Sequence, residues 1–443
     1  MGYEQNGTID FSTPEEIGVV QLALLQQHVR YLEQASPYYR SMFEQVGFKS
    51  EQLTDLSILQ TLPLTDKSEL SERNRDFLAI SENQVVDICQ TSGTTGEPAT
   101  VWQSDADLQR LATNEQRAFV AAGINASDRV LVGAALDRVF MAGLAYFLGL
   151  RNIGATTIRA GSGQPALVAE LIRRQKPNVL VGVPSLLLGV ARQMKAAGQN
   201  PAEAGVEKLI CIGEPVRAEN LQLSALGGAL QQEWQAQVYG TYASTELATA
   251  FGECHAGCGG HLLPELVIVE IIDELGQPVV NGESGEVVVT PLGIEATPLL
   301  RYRTGDIARL HTEPCDCGRQ TPRLGPIIGR RAQMLKCRGT TLFPGAISAA
   351  LQNIKAVRGH YLEVFQEYDL SDRLRVVVGC SDPSIKANEV AAQIAARTRV
   401  KPEVVLVDPE EIMKKIIRPD QRKPVTFFDY RKSGYEQDCK NYE

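Results

Sequence analysis

The spacing of apolar residues divides the chain into four stretches. Residues 14 to 84 place Val20, Leu22, Leu25, His28, Val29 and Leu32 at helical intervals, the pattern of an amphipathic helix with one face toward a core. Tyr38, Tyr39 and Phe43 add aromatic surface for packing onto the rest of the chain, and the stretch reads as scaffolding. From 128 to 240 short apolar runs alternate with helical patterns. Strands are expected at Arg129–Ala135, Ala155–Arg159, Asn178–Val183, Lys208–Gly213 and Gln237–Gly240. Helices are expected between them at Val139–Leu150, Pro165–Gln175, Ser185–Ala197 and Ala218–Gln231. Nearly continuous apolar strands separated by helices form parallel sheets covered on both faces.

Residues 264 to 311 change to hairpin-like strands, Glu265–Asp273, Gly285–Thr290, Leu299–Tyr302 and Ile307–Leu310, with turns at Gly276 and Gly285. From about 331 the pattern is that of a separate α+β module. It comprises helix Pro344–Ile354, strands His360–Tyr368 and Leu374–Gly379, helix Lys386–Thr398, strand Val404–Val407 and a basic tail. The predicted fold class is α/β. A large N-terminal domain, residues 1–329, carries a mostly parallel helix-covered sheet plus further β structure, and a small α+β C-terminal domain spans 330–443.

Composition removes some function classes. The 443 residues are 44% hydrophobic and 22% charged with a net charge of −9, and no basic run offers the footprint of a nucleic-acid binder. No apolar segment approaches the roughly 20 residues that cross a bilayer. The polar stretch Met1–Phe11 lacks a signal-peptide core, so neither membrane nor nucleic acid is an expected partner and the cytoplasm is the expected location. A homodimer is compatible with this composition.

The stretch from Gln90 to Trp102 holds Thr91, Ser92, Gly93, Thr94, Thr95 and Gly96 after a short strand. Glycines open backbone dihedrals closed to other residues, so successive N–H groups can converge on one anion, and the hydroxyls add short donors. It is a polyphosphate cradle by composition, but no Walker A loop, since Glu97 and Pro98 follow Gly96 where that motif needs lysine. Ligands of open parallel sheets gather beyond the carboxyl ends of the strands. Gly213-Glu214-Pro215 and Tyr242-Ala243-Ser244-Thr245-Glu246 stand at such positions.

Four motifs therefore occur in order: the loop at 91–98, Tyr242–Glu246, Tyr302-Arg303-Thr304-Gly305-Asp306, and Gly329-Arg330 with Arg338-Gly339. Each alone has a plainer reading: Asp306 as a turn residue, Glu246 as a helix-start carboxylate, Tyr242 as a core aromatic. In this order, with Gly213-Glu214-Pro215 between the first two, they resemble the adenylate-forming superfamily of acyl-CoA synthetases. The likeness is to its phenylacetate–CoA ligase branch, from about residue 14 to residue 432.

That resemblance implies ATP-dependent activation of an aromatic, arylacetate-like acid to acyl-AMP, then transfer to coenzyme A with release of AMP and pyrophosphate. It implies that the 91–96 loop cradles the β and γ phosphates, that Glu246 holds Mg²⁺ and that Thr245 donates to the α-phosphate. Tyr242, with Ala243 and Ser244 beside it, would stack on adenine, and Gly213, Glu214 and Pro215 would line the base. Asp306, in a tight Gly-Asp turn, would accept from both ribose hydroxyls, and Arg330 would reach ribose or phosphate with its fork of donors. The catalytic lysine of the mobile C-terminal domain matches Lys423, with Lys414, Lys415 and Lys432 as competitors. Residues 329–333 would form a hinge, bringing Arg338-Gly339 to the thioester-forming site. The chain departs from the family at Ala332-Gln333, where two aspartates are usual, and at Ala243, where glycine is.

Cys254-x-x-x-Cys258-x-x-His261 and Cys315-x-Cys317 offer soft donors in short pairs among glycines, suited to structural Zn²⁺ in tetrahedral geometry. The expected set is the four cysteines, with His261 able to replace Cys258. The acid's pocket is expected between the helix near Met141 and residues 212–246, lined by Phe140, Met141, Tyr146, Gly240 and Ala243. Arg138 would pair with a second carboxylate or cap a helix. Two other readings stand beside the ligase: transfer of the acyl group to an amine or carrier-protein thiol, and a non-catalytic ligand-binding relative.

Overall fold

The computed structural model describes residues 9–91, 98–337, 340–352, 354, 356–368, 371–417 and 424–431. Its first helix, α1 (Pro14–Ala35), starts in a capping box: Glu16 N–H donates to Thr13 Oγ1, and Thr13 N–H to the Glu16 carboxylate. Leu25, His28, Val29 and Leu32 are buried on one face, as the helical spacing predicts. α2 (Pro37–Val46) brings Tyr38 into a stack with Phe77 at 4.0 Å. α3 (Lys67–Glu72) is capped by Asp66, which accepts from the N–H groups of Ser68 and Glu69.

Strand β1 (Asp87–Gln90) pairs antiparallel with β2 (Thr100–Gln103), and α4 (Asp105–Ala121) comes next. The central sheet is then wound from β3 (Arg129–Val132), α5 (Met141–Ile153), β4 (Thr156–Arg159), α6 (Pro165–Gln175), β5 (Val179–Gly182), α7 (Pro184–Ala196), β6 (Lys208–Ile212), α8 (Ala225–Trp234), β7 (Gln237–Ser244) and β8 (Thr249–Gly252). Its order is β4-β3-β5-β6-β7-β8, parallel throughout except for β8. Alternate side chains feed two cores. Leu131, Leu180, Leu209 and Val238 pack with Val190, Met194 and Trp234, while Val130, Val181, Ile210 and Tyr239 pack with Phe119, Tyr146 and Leu150.

The helix expected from Ala218 begins only at Ala225. Arg217 and Leu223 form an isolated bridge, and Ser224 supplies the cap by accepting from Gly227 N–H at 3.2 Å.

A second sheet joins β9 (Gly260–His261), β10 (Val267–Ile272), β11 (Ser284–Pro291), β12 (Tyr302–His311) and β13 (Arg323–Leu324) in the order β10-β11-β12-β13-β9. Two expected turns are absent. Gly285 lies inside β11, where an added Cβ would stand 2.4 Å from the Ile272 carbonyl oxygen, so close strand approach explains the glycine. Gly305-Asp306 is continuous strand: Gly305 absorbs a φ of +73° within β12, a kink that mimics a turn in the sequence.

The chain divides into two compact units. One runs to Thr304 and includes Ala308–Pro326; the other comprises Gly305–Ile307 and the residues from Ile327 onward. In the second, β14 (Gly329–Arg330) pairs with Asp306 and Ile307, and a 3₁₀ turn spans Arg331–Gln333. Beyond it lie β15 (Leu335–Cys337), β16 (Thr340–Leu342), α9 (Pro344–Leu351), β17 (Val357–Tyr368), β18 (Ser371–Cys380), α10 (Ala387–Thr398) and β19 (Glu403–Val407). The expected basic tail holds two further elements, α11 (Pro409–Ile416) and β20 (Phe427–Asp429). The four-stranded sheet has the order β19-β18-β17-β20. No helix among the described residues is long and apolar enough to cross a membrane.

Candidate active site

The informative residues lie at and just beyond the carboxyl ends of β6 and β7, and β7 runs on to Ser244 past the expected end at Gly240, so Tyr242–Ser244 are strand residues paired with β8. After β6, Glu214 accepts from the backbone N–H and the hydroxyl of Ser185, both at 2.9 Å, which ties the Gly213–Pro215 turn to the start of α7. On β7, Tyr242 lies opposite Phe251 of β8, with ring centroids 5.8 Å apart and planes 27° from parallel. Ala243 is exposed. The Ser244 hydroxyl oxygen is buried and has no hydrogen-bond partner among the described residues, a costly state that a bound acceptor or donor would relieve.

Glu246 sits at the turn after β7, its side chain only 11% exposed, with Lys67 Nζ at 3.5 Å and the Tyr302 hydroxyl at 3.5 Å. Burial first, and then the Glu246 charge, push the Tyr302 phenol up, so it stays a proton donor. The sequence does not single out Lys67, because its neighbours show only a helix-start signature. Thr65, two residues earlier, forms a bridge with Tyr302, accepts from Arg303 N–H at 2.8 Å and donates to the Arg301 carbonyl at 3.1 Å. Tyr39 OH lies 3.2 Å from the Thr65 hydroxyl and accepts from Leu300 N–H at 2.8 Å. The expected scaffold thus also delivers an ammonium group to Glu246.

Thr91 closes the base of its loop: its hydroxyl accepts from Ala99 N–H and its N–H donates to the Ala99 carbonyl, both at 3.0 Å. Ser92, Gly93, Thr94, Thr95, Gly96, Arg338, Gly339 and Lys423 lie outside the described residues. In the second unit, Asp306 and Arg330 face each other across β12 and β14, with Arg330 Nε 3.2 Å from Asp306 Oδ1. Arg330 is half exposed and Asp306 nearly buried. Asp306 is therefore held by strand pairing and an arginine in place of the expected turn.

The cysteine pairs also converge. One ligand atom each from Cys254, His261, Cys315 and Cys317 lie within 4.8 Å of one another. Cys254 Sγ is 3.6 Å from Cys315 Sγ, and Cys317 Sγ is 3.4 Å from His261 Nε2. Tetrahedral Zn–S bonds of about 2.3 Å separate sulfurs by roughly 3.8 Å, so the donor set fits zinc. His261 Nδ1 is engaged by the Thr321 hydroxyl at 2.9 Å, which leaves Nε2 toward the cluster. Burial, helped by Arg319 and Arg323, lowers the His261 pKa to about 3, so the imidazole is in its ligating neutral form. The expected alternative, His261 in place of Cys258, is the set whose ligand atoms come together. Cys258 Sγ lies 3.5 Å from Cys315 Sγ and accepts from Arg323 Nη1 at 3.0 Å.

Of the expected acid-pocket residues, Tyr146 is buried against Phe119, while Gly240 N–H donates to Glu253 at 2.9 Å. Met141 packs with Val101, Leu111 and Ala248 in a separate cluster. Arg138 is exposed and pairs with its neighbour Asp137 at 3.3 Å.

Residues 39–294 match the model of the AMP-binding enzyme family, and residues 339–431 that of the AMP-binding enzyme C-terminal domain. The chain belongs to the AMP-binding enzyme family. This family member is 29% identical over 374 residues to phenylacetate-coenzyme A ligase of Thermus thermophilus, covering 83% of this chain and 82% of the relative. It is 30% identical over 363 residues to phenylacetate-coenzyme A ligase of Aromatoleum evansii, covering 80% of each. The crystal structure of 2-hydroxyisobutyryl-CoA ligase in the postadenylation state superposes with a TM-score of 0.84 at 22% identity, over 97% of this chain and 94% of that one, a likeness of fold. The family resemblance drawn from the motifs and the α/β class drawn from the apolar pattern both hold.

Proposed function

We propose that the protein activates an aromatic, arylacetate-like carboxylic acid with ATP and passes the acyl group to coenzyme A. The observation that carries this reading is Glu246, a nearly buried carboxylate with Lys67 and Tyr302 each at 3.5 Å, two residues after the Ser244 hydroxyl, which has no partner among the described residues. The relatives named phenylacetate-coenzyme A ligase support the substrate class.

Adenylation brings two anions together, so positioning and charge neutralisation supply most of the rate. A carboxylate oxygen of the acid attacks the α-phosphorus of ATP, and the bond to the bridging oxygen of pyrophosphate breaks. The CoA sulfur, its proton lost, then attacks the acyl carbon, and AMP leaves. Glu246 would hold Mg²⁺, which neutralises triphosphate charge when bound; a single carboxylate plus phosphates suits that ion. Lys67 would turn from Glu246 to the phosphates, and Thr245 would donate to the α-phosphate. Tyr242 would stack on adenine, with Gly213, Glu214 and Pro215 along the base. Asp306 and Arg330 would hold ribose. Thr91 to Gly96 would cradle pyrophosphate, and Lys423 would contact the acid and α-phosphate. Residues 330–443 would act as the lid domain, with the hinge at 329–333. Cys254, His261, Cys315 and Cys317 would hold a structural zinc ion.

The test is ATP–pyrophosphate exchange over a panel of acids, with and without CoA. Acid-dependent exchange and CoA-dependent thioester are expected. Exchange without thioester would shift the reading to an amine or carrier-thiol acceptor, and no exchange with any acid would overturn it.

A further inference from the structure

A second buried carboxyl lies deeper than Glu246. Helices α4 and α5 cross so closely at Gly149 that an added Cβ there would stand 2.5 Å from the Glu115 Cβ. This approach sets Glu115 into the interior, 3% exposed. Among the described residues no hydrogen bond reaches its carboxyl, and burial alone raises its pKa to about 8. Glu115 lines a cavity of about 10 Å³ with Phe119, Tyr146, Ile210, Tyr239 and Thr241, room for roughly one water-sized group. The other acidic residue of the lining, Glu253, is fully engaged by Arg217 and by the N–H groups of Gly240 and Gly259. Tyr146 and the β7 segment belong to the region that sequence alone marks as the acid's pocket.

We propose that Glu115, flanked by Tyr146 and Thr241, is a specificity residue that selects acids bearing a hydroxyl at the end remote from the carboxylate, ring-hydroxylated arylacetates among them. This rests on the acid–CoA ligase reading above. A neutral carboxyl donates and accepts, so it satisfies a hydroxyl in both roles. An ammonium substituent would require an ionised carboxylate among Ala118, Phe119, Ala122 and Ile210, which burial opposes. A bare ring would leave the carboxyl facing a void. Sites that hydrogen-bond a substrate hydroxyl reject the analogue lacking it far more strongly than apolar pockets discriminate by size.

The experiment compares kcat/KM for 4-hydroxyphenylacetate, 3-hydroxyphenylacetate and phenylacetate in the wild type, Glu115→Gln and Glu115→Leu. One hydroxylated acid should be favoured by roughly 10- to 100-fold in the wild type. Glu115→Gln should keep most of that ratio, and Glu115→Leu should bring it to about one or invert it. A ratio that Glu115→Leu leaves unmoved overturns the proposal. If Glu115→Leu does not fold, Glu115→Ala carries the same ratio measurement, with the same collapse expected and an unmoved ratio again overturning the proposal. Calorimetric binding of the same acids to the wild type separates the two readings. A hydroxyl preference in binding without thioester formation would sink the ligase reading alone, and equal affinities would sink the Glu115 assignment alone.

Discussion

The Glu246 site and the Cys/His cluster are both assembled from residues far apart in the chain, yet they are held in opposite ways. At Glu246 both partners stand at 3.5 Å and neither is locked to the carboxylate by a short bond. In the cluster the donors are backed from behind, His261 by Thr321 and Cys317 by Arg319, and Cys254 and Cys315 are buried. Under the proposed reading, Glu246 would exchange partners in every catalytic cycle, and it is kept near them without being committed. A cluster that would staple a loop to a sheet through a bound metal is held by further contacts behind its donors.

The largest test of that contrast is Glu246→Ala. Pyrophosphate exchange should fall by about 10³-fold, while the melting temperature moves by no more than ~2 °C. A drop in stability as large as that expected of the cluster variants would erase the distinction. Next comes Cys315→Ser, or treatment with a strong chelator. Removing a structural metal should lower Tm by roughly 5–10 °C, with exchange per folded molecule nearly unchanged. Metal content by elemental analysis should show zinc lost from the variant. Loss of exchange in protein that remains folded would instead tie the cluster to the chemistry.

Smaller, and sharper, is Lys67→Met. If the ammonium moves from Glu246 to the phosphates, kcat/KM for ATP should fall roughly 10- to 100-fold, with the acid's KM little affected. Equal losses toward ATP and acid would mean that Lys67 only orders the Glu246 turn.

These residues differ in how far the sequence discloses them. Glu246, Asp306 and the cysteines belong to local motifs, so a linear reading finds them. The central sheet is legible because each apolar run is bounded by a helix of the right length, and Pro165–Gln175 matches the expected helix end for end. Gly305 misleads because a positive φ inside a strand leaves the same trace as a turn. His261 joins the cluster through the register of β9 with β13, where Arg323 sits opposite His261 and reaches the Cys258 sulfur. No local pattern encodes that. Lys67 and Glu115 are silent for the same reason. Each gains its meaning from elements distant in the chain, Lys67 from Glu246 and Glu115 from Tyr146 and β7.

The last test follows the buried Glu115 carboxyl through pH. Glu115 holds its proton in the fold up to about pH 8, against an ordinary value of 4.5. Between those values the native state binds a proton that the unfolded chain has released, so stability falls as pH rises across the window. Below pH 4.5 both states are protonated and the contribution is constant; above about 8 both have lost the proton and it levels off. The groups facing Glu115 are Tyr146 from α5, Tyr239 on β7 and Glu253 beyond β8. Burial pushes both phenols up, so neither titrates in this range, and Glu253 is paired with Arg217. His28 works in the other direction: burial lowers it to about 4, so its contribution is lost as pH falls from 6.5 toward 4. It is present in variant and wild type alike and cancels in a difference. The Tm of Glu115→Gln minus that of the wild type should therefore be flat at low pH and rise from about pH 5 to about pH 8. A difference that stays flat over that whole range would mean that the Glu115 carboxyl has found water or a partner, and the polar floor beneath the acid would lose its basis.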